Sequence, residues 1–306
     1  MNIRDYEYIA ALAKYRTISR ASKELYISQP ALSKFLQKTE QELNVCLFQR
    51  VGRQLVPTFA GQQLAAAAAD ILFRHNQMLQ TIGDIAHETN GQIQLGIPMS
   101  RGNFFIARIL PDFYQQYPKI SLSIFEDSTQ TLLKKLRLGE LDLVFANMPE
   151  ESSDLYAEEV SEEEMVLAAP KDYHLEEKAV QCAPYRFPGL FPNDWCEYPF
   201  LMLSRDQMSC KFAEQYFKQQ RFSPNVLLKI RNLSQVLYCV QRGLGVTICP
   251  SLPQVTDELS NNVAYFSLLS DHGPAIRKTA ILYRKDAYLT KAEHHLISII
   301  HEKHNY

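Results

Sequence analysis

Residues 27–40 read ISQPALSKFLQKTE, and how this stretch is assigned decides what the N-terminal domain is. Ser28 stands where a helix cap belongs, with Gln29 and Pro30 in the first turn: a cap hydroxyl accepts an orphan amide, and proline has no amide to leave unpaired there. At about 100° per residue, Ala31, Leu32, Phe35, Leu36, Thr39 and Leu43 share one side. Pro30, Ser33, Lys34, Gln37, Lys38 and Gln41 share the other. The first side is a core face. The second carries hydroxyl, amide and amine groups with no carboxylate in its N-terminal half, which is what close approach to phosphates and base edges requires. Glu40 lies at its margin. A polar helix face alone is usually just a solvated one, so its neighbours decide.

Upstream, Tyr6, Ile9, Ala10 and Ala13 recur at helical spacing, and Thr17 precedes a short second helix, 18–25, marked by Ile18, Ala21 and Leu25. Tyr26-Ile27-Ser28 is a connection short enough to cross the second and third helices steeply, as in a helix-turn-helix whose second member enters the major groove. Downstream, Val45, Leu47, Phe48, Val51, Leu55 and Val56 flank Gly52-Arg53 and read as a hairpin with Arg50 and Arg53 near its tip. Such a hairpin is a wing, able to reach backbone or minor groove. From Thr58 the pattern is helical for some thirty residues. Leu64, Ala68, Ile71, His75, Met78, Ile82 and Ile85 then form a heptad seam, read as a dimerisation stripe, with packing on its own body as the alternative.

Charge agrees with this division. The 306-residue chain has a net charge of −2 and is 46% hydrophobic, enough for more than one core. Residues 1–61 hold nine Lys or Arg against five Asp or Glu, while the remainder holds 23 against 29. A basic module on an acidic body suits DNA, because phosphate contacts need local positive charge. No run of about 18 apolar residues occurs, and MNIRDYEYIA is not a signal peptide, so a cytoplasmic protein without a membrane partner is expected. The six cysteines form no CxxC pair, which argues against a zinc ribbon; Cys196 and Cys210 are the pair to watch for redox chemistry.

After Asn90-Gly91 the pattern becomes strand and helix in turn: QIQLGI (92–97), a helix over 103–117, a strand over 120–126, a helix over 129–138 and a strand over 141–146. A second round runs through PFLML (199–203), a helix over 209–219, VLLKI (226–230), a helix over 233–242 and GVTIC (245–249). Two α/β lobes with parallel sheets are expected. No GxSxG, HExxH or P-loop pattern occurs, and Gly243-Leu244-Gly245 lacks dinucleotide spacing, so neither an enzyme nor a cofactor is expected. His294, His301 and His304 share an arc of the last helix, but a terminal helix usually carries solvated histidines, and no metal site is assigned.

Taken together, Thr17-Ile18-Ser19-Arg20-Ala21, Leu25, Ile27 to Lys34, Glu40, Leu43, Leu47-Phe48-Gln49-Arg50 and Pro57-Thr58-Phe59-Ala60-Gly61 resemble the winged helix-turn-helix of LysR-type transcriptional regulators. Weaker marks in the body are similar to the effector domain of that family: Gly91 to Ile97, Leu110-Pro111, Tyr117-Pro118, Gly139-Glu140-Leu141-Asp142-Leu143, Ala169-Pro170-Lys171-Asp172 and Gly243 to Val246 with Pro250. The resemblance implies an α/β protein with an all-α, winged N-terminal domain (1–57), a dimerisation helix (58–90) and an effector domain (91–306) similar to type 2 periplasmic binding proteins. Its lobe I would span about 91–161 and 266–306, and lobe II about 162–265. It implies that Gln29, Pro30, Ser33 and Lys34 face the major groove of a double-stranded operator and that Arg53 lies in the wing, in a homodimer or homotetramer, with RNA polymerase as a partner if the protein activates; the cap Ser28, the free-face Gln37 and Lys38 and the hairpin Arg50 are expected to join them on the DNA. Lys34 stands where arginine is common, Thr39 where leucine is usual, and Phe35 is more apolar than usual; lysine lacks the bidentate fork to guanine.

Ligands of open α/β sheets lie beyond the carboxyl ends of strands, against helix N-termini. The matching positions are Ser100 and Arg101 after the first strand, Ser128 and Thr129 after the second, Ser204 (with Arg205), Asn232 and Thr247. Of these, Ser100 is the position the resemblance supports most directly; for the other Ser and Thr residues helix capping is the competing role. Arg101 and the helix termini suggest a small carboxylate or other anion as effector. Residues 176–198, rich in aromatics, read either as a self-packed surface loop or as a lid on the ligand. The competing function is a solute-binding protein that reads no DNA.

Overall fold

The computed structural model describes residues 1–85, 91–149, 153–181, 183–204, 208–251, 262–270 and 273–304. They form two compact units, Met1–Gly91 with Lys135–Leu141, and Gln92–Lys134 with Asp142–Tyr306.

The first unit opens with α1 (Ile3–Tyr15), α2 (Ile18–Glu24) and α3 (Gln29–Leu43). Asn2 and Asp5 cap α1 reciprocally, each side chain accepting the other's amide. Thr17 and Ser28 cap α2 and α3, accepting from the Arg20 and Ala31 amides at 3.3 Å each. The starts at Thr17 and Ser28 are the ones the sequence predicts. The core of the three helices joins Ile9, Leu12, Ala21, Leu32 and Leu36 to Leu47, Phe48 and Leu55. Of the expected core face of α3, Leu32, Leu36 and Thr39 are buried and Phe35 is half-buried, while Ala31 and Leu43, at the two ends, are exposed. Thr39 fills a leucine's place without an unmet donor, because its hydroxyl donates to the Phe35 carbonyl at 2.9 Å. The hairpin β1 (Phe48–Val51) and β2 (Gln54–Pro57) closes on Val51 opposite Gln54, with Gly52 at φ 60° in the Gly52-Arg53 turn.

The long helix α4 (Phe59–Ile85) divides the expected seam. Leu64 and Ala68 belong to the head core, where α4 packs on α1, so they are not free for a partner. Beyond them Ile71, Met78, Leu79 and Ile82 are exposed and His75 is half-buried. The Ile85 side chain lies outside the described residues. Packing on its own body therefore applies to the first three turns of the helix, and the stripe positions Ile71, Met78 and Ile82 are open to solvent.

In the second unit, β3 (Gly91–Pro98), α5 (Gly102–Phe104), a π-helical turn (Phe105–Ile109), α6 (Leu110–Gln116), β4 (Ile120–Asp127), α7 (Thr129–Arg137) and β5 (Leu143–Asn147) build one lobe. Strand β6 (Leu155–Pro170) follows, then β7 (Gly189–Leu190), α8 (Pro192–Trp195), β8 (Phe200–Leu203), α9 (Met208–Gln219), β9 (Val226–Ile230), α10 (Leu233–Gln241), β10 (Thr247–Pro250), β11 (Val263–Leu268), β12 (Ile276–Arg284) and α11 (Lys291–His304). The first sheet runs β4-β3-β5-β12-β6. The second is built on the far half of β6, with β10 and β11 antiparallel to it and β7 parallel to β11. Strands β8 and β9 are parallel and join β10 through reciprocal backbone bonds of Leu201 and Pro199 with Val246, 2.9 Å each. The sheets are mixed where parallel ones are expected, because β6 and β12 run against their neighbours.

Strand β6 serves both lobes. Residues 155–164 pair with β12, and 165–170 pair with β10 and β11. The sheet thus changes at Glu164/Met165 and returns between Leu268 and Ile276, a few residues later than the expected 161/162 and 265/266. A strand that changes partners without changing direction leaves no turn residue to mark the place. The 176–198 segment is not a loop packed only on itself. It supplies β7, Trp195 is 1% exposed against Tyr216 and Phe222, and the Phe187 amide donates to Ser267 Oγ at 3.1 Å. Trp195 is lobe core and Phe187 and Tyr198 pack against it, while Phe191 is exposed. Cys182 lies outside the described residues.

Candidate functional site

On the head, the polar side of α3 is open to solvent: Gln29, Pro30, Lys34, Gln37 and Lys38 are exposed and Ser33 is half-buried. Ser28, the cap, is exposed as well. Lys38 forms only a solvated ion pair with Glu42, 3.5 Å and one turn on, so its charge stays available to a phosphate. Gln29 Nε2 reaches Ser19 Oγ at 3.4 Å, tying the start of α3 to α2. Arg50 and Arg53 are exposed on the hairpin. Spacing alone did not reveal what holds that hairpin beside α3. Glu40 Oε1 accepts from the Leu47 and Phe48 amides at 2.7 and 3.0 Å, so the residue at the margin of the polar face is a clamp to the wing. Gly61 allows the matching approach from α4, since a Cβ there would overlap the Leu47 carbonyl oxygen.

In the second unit, Ser100 is half-buried just beyond β3, and Ser128 caps α7 just beyond the adjacent β4, its Oγ accepting from the Thr131 amide at 3.3 Å. Thr129, the next residue, is half-buried. Ser204 and Asn232 lie just beyond the parallel strands β8 and β9, with Asn232 capping α10 through the Ser234 amide at 2.9 Å. Arg231 approaches Asp127 at 3.8 Å, so the strand ends of one lobe face those of the other. Thr247 is fully buried and donates to the Leu201 carbonyl at 2.7 Å, which makes it a strand tie. Arg205 lies outside the described residues.

Arg101 is the main correction. It is 1% exposed, with Nη2 2.7 Å from Glu163 Oε2 and 2.9 Å from Asn147 Oδ1, Nη1 on Glu163 Oε1, and its guanidinium 5.2 Å from the centre of the Phe145 ring. A bidentate pair of this kind consumes the charge that the sequence reading assigned to an anion. Glu163 also accepts from Arg277 Nε at 3.3 Å, and Arg277 Nη1 reaches Ser209 Oγ, on the first turn of α9, at 3.4 Å. Burial would raise the Glu163 carboxyl, but the guanidiniums of Arg101 and Arg277 outweigh it and hold the group at about 2. Two guanidiniums around one carboxylate leave one positive charge over, carried by Arg277 at the junction of the lobes. Glu163 sits in the acidic run 162–164, which resembles a solvated face in sequence, yet Glu162 is exposed while Glu163 and Glu164 are both buried, a division that a pleat of period two does not give.

The last helix gathers no metal cluster among the described residues. His301 Nε2 meets Glu158 at 2.7 Å, and His304 packs on Phe104 and Phe145 at 4.3 and 4.9 Å between centroids. Burial lowers His304 to about 4, helped by the Arg101 charge. Among the described residues no helix is long and apolar enough to cross a membrane.

A helix-turn-helix head with an open polar face and a basic wing, joined to a two-lobed α/β domain with facing strand ends, defines a DNA-binding regulator with a ligand domain. Family models agree: residues 3–62 match the bacterial regulatory helix-turn-helix protein of the lysR family, and 86–305 match the LysR substrate binding domain. The chain belongs to the LysR family of transcriptional regulators. It is 30% identical over 292 residues to the DNA-binding transcriptional dual regulator OxyR of Escherichia coli K12, covering 93% of this chain and 90% of that one. It is 26% identical to the uncharacterised regulator YcgK of Bacillus subtilis, covering 95% and 91%. Among solved structures, a full-length OxyR variant from Pseudomonas aeruginosa superposes with a TM-score of 0.68 at 22% identity, covering 99% and 94%. CbnR bound to its target DNA gives 0.61 at 16%, covering 99% of both chains.

Proposed function

We propose that two copies pair through the exposed stripe of α4, Ile71, Met78 and Ile82, and present two α3 faces to a two-fold operator. Gln29, Pro30, Ser33 and Lys34 read bases, while Ser28, Gln37, Lys38, Arg50 and Arg53 hold phosphates. A small anion between the lobes, near Ser100, Ser128, Thr129, Ser204 and Asn232, changes their closure and so the spacing of the heads. The protein works in the cytoplasm by binding, without catalysis, and engages RNA polymerase where it activates. The observation that carries this reading is the open polar face of α3 beside the exposed hairpin arginines. Anion preference rests on the surplus charge of the Arg101–Glu163–Arg277 cluster, not on Arg101.

Several relatives are named hydrogen peroxide-inducible genes activators. A peroxide response needs an accessible thiolate. Among the described cysteines of the ligand domain, Cys210 and Cys249 are buried and Cys196 and Cys239 half-buried, and burial pushes Cys249 up to about 12, while the exposed Cys46 lies on the head. That favours a bound small molecule over thiol oxidation. The test is selection of sites from a random DNA pool, followed by titration of the winner with wild type and Gln29→Ala/Ser33→Ala. A two-fold site that the variant no longer prefers supports the reading; a variant with unchanged preference removes it. Calorimetric titration with carboxylates, phosphates and neutral analogues then tests the ligand class, and binding by neutral compounds only would remove the anion.

A further inference from the structure

The turn between α2 and α3 holds a residue that the fold itself does not explain. Tyr26 has φ 55°, in the left-handed region, and is 95% exposed, the most exposed of the large apolar and aromatic side chains among the described residues. Three non-glycine residues of the head adopt this conformation, Arg16, Tyr26 and Asn44, each at the end of a helix. Asparagine and glycine take it readily; a tyrosine does so against its Cβ sterics. The backbone leaves no choice, because Tyr26 N donates to the Lys23 carbonyl at 3.2 Å and Ile27 N to the Ser22 carbonyl at 3.0 Å, closing the turn. The side chain contributes no packing in return. It stands two residues before the cap Ser28, beside the end of α3 where the DNA-facing side begins.

We infer that Tyr26 is a DNA-backbone contact of the head, its phenol donating to a phosphate oxygen and its ring lying on the sugar. Strain kept at an exposed turn, with no compensating contact in the free protein, is the pattern of a residue whose partner arrives on binding. A phenol has the donor a phosphate needs, and the ring adds area at little conformational cost. Since phosphate contacts carry no base information, Tyr26 strengthens specific and non-specific binding alike, unlike Gln29 and Ser33.

The test uses the full chain and the site selected by wild type, with Tyr26→Asn and Tyr26→Phe measured by fluorescence anisotropy on the operator and on random DNA, alongside thermal melting. Expected for Tyr26→Asn is a head that melts about 2–4 °C higher, from relief of the left-handed strain, and that binds both DNAs about tenfold more weakly per head. Tyr26→Phe keeps the ring and the strain, so melting stays at the wild-type value while affinity falls several-fold. Opposite signs in stability and binding are what a merely structural residue does not give. Operator affinity within twofold of wild type in both variants overturns the inference. So does unchanged affinity combined with lost transcription in a purified polymerase reaction, which would assign Tyr26 to a protein partner instead.

Discussion

Replacing Glu163 by Gln keeps the shape of the side chain and removes the charge that two guanidiniums share. The Glu163 side chain is 6% exposed and that of Arg101 1%, so little water can take over the pairing. A fall of the Glu163 carboxyl from 4.5 to about 2 corresponds to about 3 kcal/mol in favour of its charged, folded form. Loss of one partner from a buried ion pair generally costs a similar ~3–5 kcal/mol, because the other charge is stranded. The sign follows from the direction of the shift. The folded value lies below the unfolded one, so the contribution is complete above about pH 4.5 and disappears as pH falls towards 2. Trp195 is the single tryptophan and is buried in the second unit, so its fluorescence follows unfolding of that domain in urea. With a slope of about 2–3 kcal/mol per molar, typical of a domain this size, Glu163→Gln should lower the midpoint by about 1 M at pH 7. The gap to wild type should close on going from pH 4.5 towards 2. A midpoint within about 0.3 M of wild type at pH 7, or a gap independent of pH, would refute the reasoning that the carboxylate holds the cluster together.

Further outcomes follow from single residues. Gly61→Ala, which in an open helix would stabilise by about 1 kcal/mol, should instead destabilise the head by about 2 kcal/mol or more, since the new methyl meets the Leu47 carbonyl; head melting decides the sign. Ser28→Ala should cost about 1 kcal/mol through the lost cap on α3, read in the same melt. His304, held near 4 by burial, is neutral in the fold and charged in the unfolded chain between pH 6.5 and 4. Stability should therefore fall across that window as pH drops, and His304→Phe should flatten the fall in a pH series of urea midpoints. In thiol labelling at pH 7.5, exposed Cys46 should react first, and buried Cys210 and Cys249 only when urea opens the domain, about a hundredfold slower in buffer; rapid modification of Cys210 in native protein would reopen a redox role.

Local chemistry made most of the head legible in advance. Thr17 and Ser28 announce helix starts, the 3.6-residue period divides α3 into a buried and a free side, and Gly52-Arg53 demands a hairpin turn. These signals act over a few residues, so no long-range contact is needed to interpret them. The same holds for the alternation of strands and helices after residue 91 and for the strand-end positions Ser100, Ser128, Ser204 and Asn232. Strand β6 is different. Its first half is acidic and its second half continuously apolar, so it lacks a period of two, although it pairs with sheets in both lobes.

What tertiary structure alone decided are the facts that depend on which distant residue comes to rest nearby. Arg101 meets Glu163 across 62 positions of sequence, and an arginine beside a ligand site is indistinguishable from a neutralised one until that partner is seen. Ala68 and Ile71 look alike in a heptad, yet one packs on the head and the other faces solvent, because the first turns of α4 lie on α1. Glu40 reads as a surface carboxylate until the wing amides arrive to bind it. Sequence by itself determined the helices and hairpin of the head and the polar side of α3, since each is set by short-range periodicity and capping, while the resemblance of its motifs pointed to the family. Which charges remain free to act was set by the fold, because neutralisation is a property of pairs brought together in space.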